Sequence, residues 1–342
     1  MLNFKRLTIN DKKLFESYIK PYNFFNCEYS FTTLYIWRKA LDIKYAICKG
    51  ALIIKKKDFN DEYHFMQPLG YKKENLKDII EILMNYKKEK CIKYLFKDLR
   101  YDFVKELKNL YKDEEIYSNI MVEEDRDNFD YLYESKKLIT LSGKKLHGKK
   151  NHYNYFIKNY NYDIRDFTEE GVIEDSLRIA ELWYEKNDTK DKHLLYELQS
   201  IRDMCYNMDV LGLEGMGLYI DGEIAGFSIG EKFSDNMAIV HIEKANKDLR
   251  GAYTFVNKAF VENYFSDVPI INREQDLGIE GLRKAKLSYS PLDFEKNIWW
   301  IYVITADVVI GKKDKDRLYK NTTVILIIGS IYKRFKRKLC IR

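Results

Sequence analysis

Proline is scarce, at 4 in 342 residues, so little interrupts long helices and strands. The 5 cysteines stand at positions 27, 48, 91, 205 and 340, an odd number with no CxxC pair and no repeated spacing. That excludes a disulfide framework and a cysteine-built structural zinc site. Long apolar runs are missing too. Ile298–Ile310 is broken by Asp307 and is too short to span a bilayer, and Met1–Asn10 carries Lys5 and Arg6 where a signal peptide needs an apolar core. These absences point to a cytoplasmic, reduced chain without a metal site.

Basic charge is also missing from most of the chain, despite a net charge of +6. Asn297–Arg342 holds eleven Lys/Arg against three Asp, so the tail supplies the whole excess. The average charge therefore does not imply a DNA-binding surface.

What the chain has in abundance is aromatic residues, 28 Tyr and 19 Phe, enough to build large cores. Its length predicts two lobes: 1–135, a basic connector 136–160, a second lobe 161–296, and a basic, apolar tail 297–342. In the first lobe Asn26–Trp37 reads as a core helix, Ile43–Cys48 and Ala51–Lys55 as a hairpin about Lys49-Gly50, Leu76–Glu89 as a helix, Ile92–Phe96 as a buried strand and Tyr101–Tyr111 as a helix. The second lobe reads as helices Gly171–Lys186 and Leu194–Met208, then strands Gly215–Ile220, Glu223–Glu231 and Met237–Lys244. Helix Gly251–Tyr264, strand Ile270–Asn272 and helix Ile279–Lys286 complete it.

Four segments carry chemistry. Gly226–Gly230 satisfies G-x-S-x-G, but it lies between two strands, where a nucleophile elbow needs a helix to follow, so its glycines read as thinning a packed strand. Strict alternation along Met237–Lys244 puts His241 and Glu243 on one face as candidate proton-transfer groups, next to the turn at Arg250-Gly251, whose N–H groups suit an anionic oxygen. After the short strand, Asn272, Arg273, Glu274 and Asp276 offer a bidentate anion clamp and carboxylates for an ammonium group. Lys286 and Tyr289 follow as a further cation and a candidate catalytic phenol. The connector, Lys136–His152, holds six lysines and no acid, and Lys144, Lys145, His147, Lys149 and Lys150 are its candidate substrate-binding groups, expected at the lobe junction. The bland readings are His241 and Glu243 hydrogen-bonding each other in a half-buried sheet, a loop closed by its own Arg–acid pair, a helix-terminal lysine with a packed tyrosine, and a solvated basic linker.

Tyr219–Phe227 with the strand–turn–helix at His241–Phe260 resembles the hairpin and acyl-carrier loop of GNAT (acyl-CoA N-acyltransferase) proteins. Asn26–Trp37, Leu141–His152 and Asn272–Tyr289 resemble a bacterial family related to the C-terminal domain of phosphatidylglycerol lysyltransferases. The resemblance implies an α/β (α+β) fold of two GNAT-like lobes in tandem, each a mixed, mostly antiparallel sheet flanked by helices, as in the Fem-type aminoacyltransferases. It implies transfer of an aminoacyl or acyl group from aminoacyl-tRNA or acyl-CoA to a small-molecule or lipid acceptor. The GNAT phosphate loop, Q/R-x-x-G-x-G/A, falls here on Asp248-Leu249-Arg250-Gly251-Ala252-Tyr253, where Asp248 would repel a pyrophosphate and Tyr253 would crowd it. The alternative function is a non-catalytic ligand-binding module. For the tail, the readings are peripheral contact with an anionic membrane, an extra packed strand, or an accident of the reading frame.

Overall fold

The computed structural model describes residues 2–113, 120–185 and 192–302. Two sheets organise them. The first lobe supplies β1 (Lys5–Arg6), β2 (Lys44–Cys48), β3 (Ala51–Lys57), β4 (Tyr63–Phe65), β5 (Phe96–Leu99) and β6 (Ile120–Glu124), with helices α1 (Lys12–Ile19), α2 (Phe31–Trp37), α3 (Leu76–Glu89) and α4 (Tyr101–Tyr111). Then come β7 (Asp130–Glu134), α5 (Ser135–Thr140), α6 (His147–Asn159), β8 (Tyr162–Asp166), α7 (Val172–Glu185), α8 (Lys192–Cys205) and α9 (Met208–Leu211). Strands β9 (Leu213–Ile220), β10 (Glu223–Ser234) and β11 (Met237–Ala245) lead into α10 (Ala252–Tyr264), β12 (Ile270–Asn272), α11 (Glu280–Leu287), β13 (Asp293–Glu295) and β14 (Ile298–Tyr302).

The first sheet runs β1-β2-β3-β4-β5-β14-β6 and the second β8-β9-β10-β11-β12-β7-β13. Aligned this way, the sheets are two copies of one plan. Each has an antiparallel run, a helix crossover to a parallel neighbour (β4 to β5, β11 to β12), and two closing antiparallel strands. The sixth strand is exchanged. The expected first lobe, 1–135, gives β7 to the second sheet and receives β14 from the expected tail. One hydrogen-bonded pair sits at the same place in each copy: Asn272 Nδ2 donates to Asp130 Oδ2 (2.7 Å) between β12 and β7, and Asn297 Nδ2 donates to Asp98 Oδ1 (2.6 Å) where β14 enters beside β5. Of the three readings of the tail, a packed strand describes 298–302; the rest lies outside the described residues.

Local chemistry explains most boundaries. Both hairpins turn on two left-handed residues, Lys49-Gly50 and Asp221-Gly222, the geometry that two-residue loops favour. In α3, Leu76, Ile79, Ile80 and Leu83 form one buried stripe. Two expectations shift. The run Asn26–Trp37 breaks at Ser30, whose extended backbone and side chain cap α2 by accepting the Thr33 N–H. The strand expected at Ile92–Phe96 lies at Phe96–Leu99, because Lys97 and Asp98 are buried in ion pairs with Asp58 and Lys56 and so hide the apolar pattern.

Between the sheets, α1 and α2 of the first lobe pack with α7 and α8 in one hydrophobic cluster. A second cluster, with α5, α6 and α10, covers the other, outer face of the second sheet and contains no residue before Tyr131. The connector expected at the lobe junction is therefore helical and lies on that outer face. Its helix α6 escapes a periodicity reading because Phe156 is its one buried side chain.

Candidate functional site

A β-bulge decides where the expected catalytic pair points. Ile229 pairs with Ile242 and Gly230 with Val240, which leaves His241 as the extra residue on β11. Parity flips there. His241 faces the first lobe, whereas Glu243 faces α10 on the outer face, so the expectation of one shared face is corrected.

On the inner side, the His241 ring is enclosed, with Nδ1 2.9 Å from Glu274 and Nε2 3.1 Å from Glu231. Glu231 also accepts from Ser30 and from Thr32 Oγ1 (2.9 Å) of the first lobe. Burial alone would lower the imidazole's pKa, but hydrogen bonds to two carboxylates outweigh it and lift it to about 9. Asn272 faces the same seam, bound to Phe25 O and Asp130. Asp130 also accepts from Cys27 N (2.6 Å) and Gln275 Nε2 (2.6 Å), while burial pushes its pKa up to about 7. His241, Asn272 and Glu274 thus belong to a buried polar seam between the lobes, and the reading in which His241 and Glu243 hydrogen-bond each other is also corrected, since Glu243 bonds Arg273 and Asn257 on the other face.

The outer face holds a different cluster. Glu243 Oε1 accepts from Arg273 Nη2 (2.8 Å) and its Oε2 from Asn257 Nδ2 of α10 (2.8 Å). The Arg273 guanidinium lies 4.6 Å from the ring centre of Tyr289, and Lys149 Nζ of α6 lies 4.0 Å from the same ring. Burial and the nearby guanidinium lower Lys149 to about 8, with Glu243 opposing them. Burial raises the Tyr289 phenol to about 12. Two polar atoms here are buried without a protein partner, the donor Arg273 Nη1 and the acceptor Asn257 Oδ1. Such atoms cost free energy unless something meets them.

The other expected residues scatter. Asp276, fully buried, accepts from Tyr131 Oη (2.6 Å), Arg283 Nε (2.8 Å) and Gly278 N (2.8 Å), so its oxygens are committed within the protein. The loop is not closed by its own Arg–acid pair: Arg273 pairs with Glu243 of β11, and Asp276 with Arg126 and Arg283. Lys286 donates to the Arg273 and Gln275 carbonyls and fixes that loop's path. Arg250 is on the surface over the Tyr155 ring (4.3 Å). Lys144, His147 and Lys150 line a cavity of about 580 Å³ with Leu141, Ser142 and Gly143, and Lys145 is exposed beside it. Asn257 was not anticipated from sequence. A lone amide among Phe255, Val256, Ala259 and Phe260 was its available signal.

Gly251 caps α10 with φ of 92°, and a Cβ there would lie well inside contact distance of the His152 carbonyl oxygen of α6. The Cα side of Gly251 packs against α6, while Lys247, Asp248 and Arg250 of the same turn are exposed. Gly251→Ala is expected to destabilise the chain by about 2–3 kcal/mol through backbone strain and overpacking. A shift of the urea midpoint at constant m-value would show it. Ser228, inside the G-x-S-x-G stretch, is buried in β10 and donates to Ile242 O (2.8 Å), and a Cβ at Gly226 would stand 2.8 Å from Lys244 O, so this stretch is packed strand.

The whole described region bears comparison with known proteins. A crystal structure of a conserved protein of unknown function from Bacteroides thetaiotaomicron is 29% identical, covering 89% of this chain and 100% of that one, at a TM-score of 0.79. The structure of L-PGS from Bacillus licheniformis shares the fold at 13% identity and a TM-score of 0.55, covering 86% of this chain and 93% of that one. An uncharacterised protein of Mycoplasmoides gallisepticum is 31% identical over 177 residues, 51% of this chain, which spans only 56% of that relative's length. The two sheets and their flanking helices have the tandem GNAT-like architecture. The model of the phosphatidylglycerol lysyltransferase C-terminal family matches residues 19–300, and the chain belongs to that family.

Proposed function

We propose that the chain transfers an aminoacyl or acyl group from an activated ester to an amine or hydroxyl acceptor at the Glu243–Arg273 cluster. One observation carries the reading: a carboxylate held between a guanidinium and an amide, each with a buried polar atom left unpartnered, beneath a lysine with a depressed pKa. Glu243 takes the acceptor's proton as its N or O attacks the ester carbonyl. Arg273 Nη1 donates to the oxygen on which negative charge develops, and Lys149 adds a second positive charge nearby. The ester C–O bond then breaks and the leaving oxygen recovers a proton, so acceptor and donor exchange one acyl group for one hydrogen. Tyr289, with its phenol protonated at neutral pH, holds the guanidinium in place and can supply that hydrogen.

Family membership supports aminoacyl transfer and a lipid acceptor, and Asp248 and Tyr253, which repel and crowd a pyrophosphate at the turn, favour aminoacyl-tRNA over acyl-CoA as donor. Among the described residues no helix is long and apolar enough to cross a membrane. The same departures from the phosphate loop favour the rival, a binding module without turnover. The two readings separate when the full chain is incubated with mixed aminoacyl-tRNAs or acyl-CoAs and extracts of lipids and amines. Mass spectrometry should find an acceptor heavier by one aminoacyl group. Stabilisation by a metabolite with no product in any combination would favour the rival.

A further inference from the structure

His241 stands between two carboxylates. The bulge on β11 turns its ring into the seam, where Nδ1 lies 2.9 Å from Glu274 and Nε2 3.1 Å from Glu231. An imidazole donates from both nitrogens only as the doubly protonated cation. With one proton it presents a lone pair to one of the carboxylates, and that contact becomes repulsive. The two partners are not equally free to leave. Glu231 is also held by the hydroxyls of Ser30 and Thr32 at the start of α2. Glu274, whose side chain is 21% exposed, has no second donor to its carboxylate among the described residues and can turn to water. Losing one proton therefore releases Glu274 and keeps Glu231.

Glu274 is joined directly to the Glu243–Arg273 cluster. Its neighbour Arg273 faces the opposite side of the sheet and reaches Glu243 (2.8 Å), so one peptide bond separates the seam from the guanidinium. The Glu274 backbone is left-handed, with φ of 53°, a conformation that a residue with a Cβ keeps only when its surroundings hold it. Asn272 Oδ1 accepts from its N–H (2.7 Å), and its carbonyl accepts from Tyr131 N (3.2 Å). Lys286 donates to the carbonyls of Arg273 and Gln275 on either side. Around the carboxylate, Glu28 and Asp130 across the seam repel it and Lys286 attracts it, but the His241 ring is the group that bonds it.

We propose that His241 is a positioning residue: as an imidazolium bridging Glu231 and Glu274 it ties α2 of the first lobe to the Arg273 loop and fixes the direction of the guanidinium on the outer face. Its effect on transfer rests on the reading of the Glu243–Arg273 cluster, but the coupling of His241 to the loop stands without it. Deprotonation unties the loop, so the alignment of Arg273 is lost at alkaline pH. The seam between the lobes thereby controls a cluster on the far side of the sheet, with a proton as the effector. The two carboxylates set the range by holding the imidazole well above its ordinary value.

The test follows hydrogen exchange of the Arg273 and Glu274 amides in the full chain, corrected for the intrinsic rate at each pH, alongside transfer. In the native chain protection and kcat should both fall about tenfold from about pH 7 to about pH 10, with KM little changed. Glu274→Gln is the decisive variant, because a side-chain amide can accept from the protonated ring and donate to the neutral one. It should keep its protection and lose most of the fall. Glu274→Ala should lose protection and about tenfold in kcat at every pH. Lys149 and Lys286, each lowered to about 8, also lose charge in this range and would give the same fall in the native chain and in Glu274→Gln. Equal pH profiles for those two chains would therefore overturn the inference, as would native protection in Glu274→Ala. No product from the native chain at any pH would reject the transfer reading alone, since exchange still reads the coupling. Transfer that continues with protection indifferent to Glu274 would reject the coupling alone.

Discussion

Arg273→Lys is expected to leave the chain folded and to slow transfer by roughly 10²- to 10³-fold. Lysine keeps a positive charge beside Glu243, so the buried carboxylate is not stranded and the stability cost stays modest. It cannot keep the planar fork. Arg273 engages Glu243 through Nη2 and has Nη1 left over, and a single ammonium at the end of a flexible stem does not hold a second donor in a fixed direction. The loss should appear in kcat more than in KM, because a donor aimed at the developing oxyanion acts chiefly in the transition state. Steady-state rates at saturating acceptor, with melting curves alongside, would measure it. A drop confined to KM would reassign Arg273 to ground-state binding.

The second large effect concerns stability. His241→Ala removes the group that Glu231 and Glu274 share and leaves two carboxylates in a buried seam, at an expected cost of about 3–5 kcal/mol. The pH dependence has a definite sign. The imidazole titrates near 6.5 when unfolded and at about 9 when folded, so the folded state binds the extra proton between those values. This contribution to stability is fully present below pH 6.5 and is lost as pH rises through 9. Asp130 adds to the trend lower down: its folded pKa, raised from 3.8 to about 7, makes its ionisation destabilising between those limits. Melting temperature should therefore fall between pH 6.5 and 9 in the native chain and fall less in a His241→Gln variant. Equal slopes in both would show that the imidazole carries no net proton at neutral pH.

Elements with one apolar stripe or one clear turn were legible in the sequence. The helices α3, α4, α7 and α10, and the hairpins at Lys49-Gly50 and Asp221-Gly222, stand close to where pattern and turn chemistry put them. Three kinds of feature were not. Buried charges in β5 imitate an exposed segment, and only their partners Lys56, Asp58 and His64, distant in sequence, reveal otherwise. The exchange of β7 and β14 has no local signal, since each strand's neighbours lie more than a hundred residues away in the chain. The bulge at His241 is a third case. A period-of-two reading joined His241 to Glu243, and one inserted residue sent them to opposite faces of the sheet. Arg273, Glu243, Tyr289 and Lys149 were each legible as chemistry-bearing residues and do come together. Asn257, whose amide completes the cluster, lay unnoticed on the apolar face of a well-read helix.

The most direct measurement compares Glu243→Gln with the native chain in a single transfer assay. Glutamine is of equal size and still offers an oxygen to Arg273 Nη2, but it neither accepts a proton nor carries charge. With aminoacyl-tRNA and the acceptor that the native chain modifies, product formation should fall at least about 100-fold while the melting temperature shifts by no more than a few degrees. Equal rates from the two chains would contradict the assignment of Glu243 as the base, and with it the placement of transfer on the outer face of the second sheet.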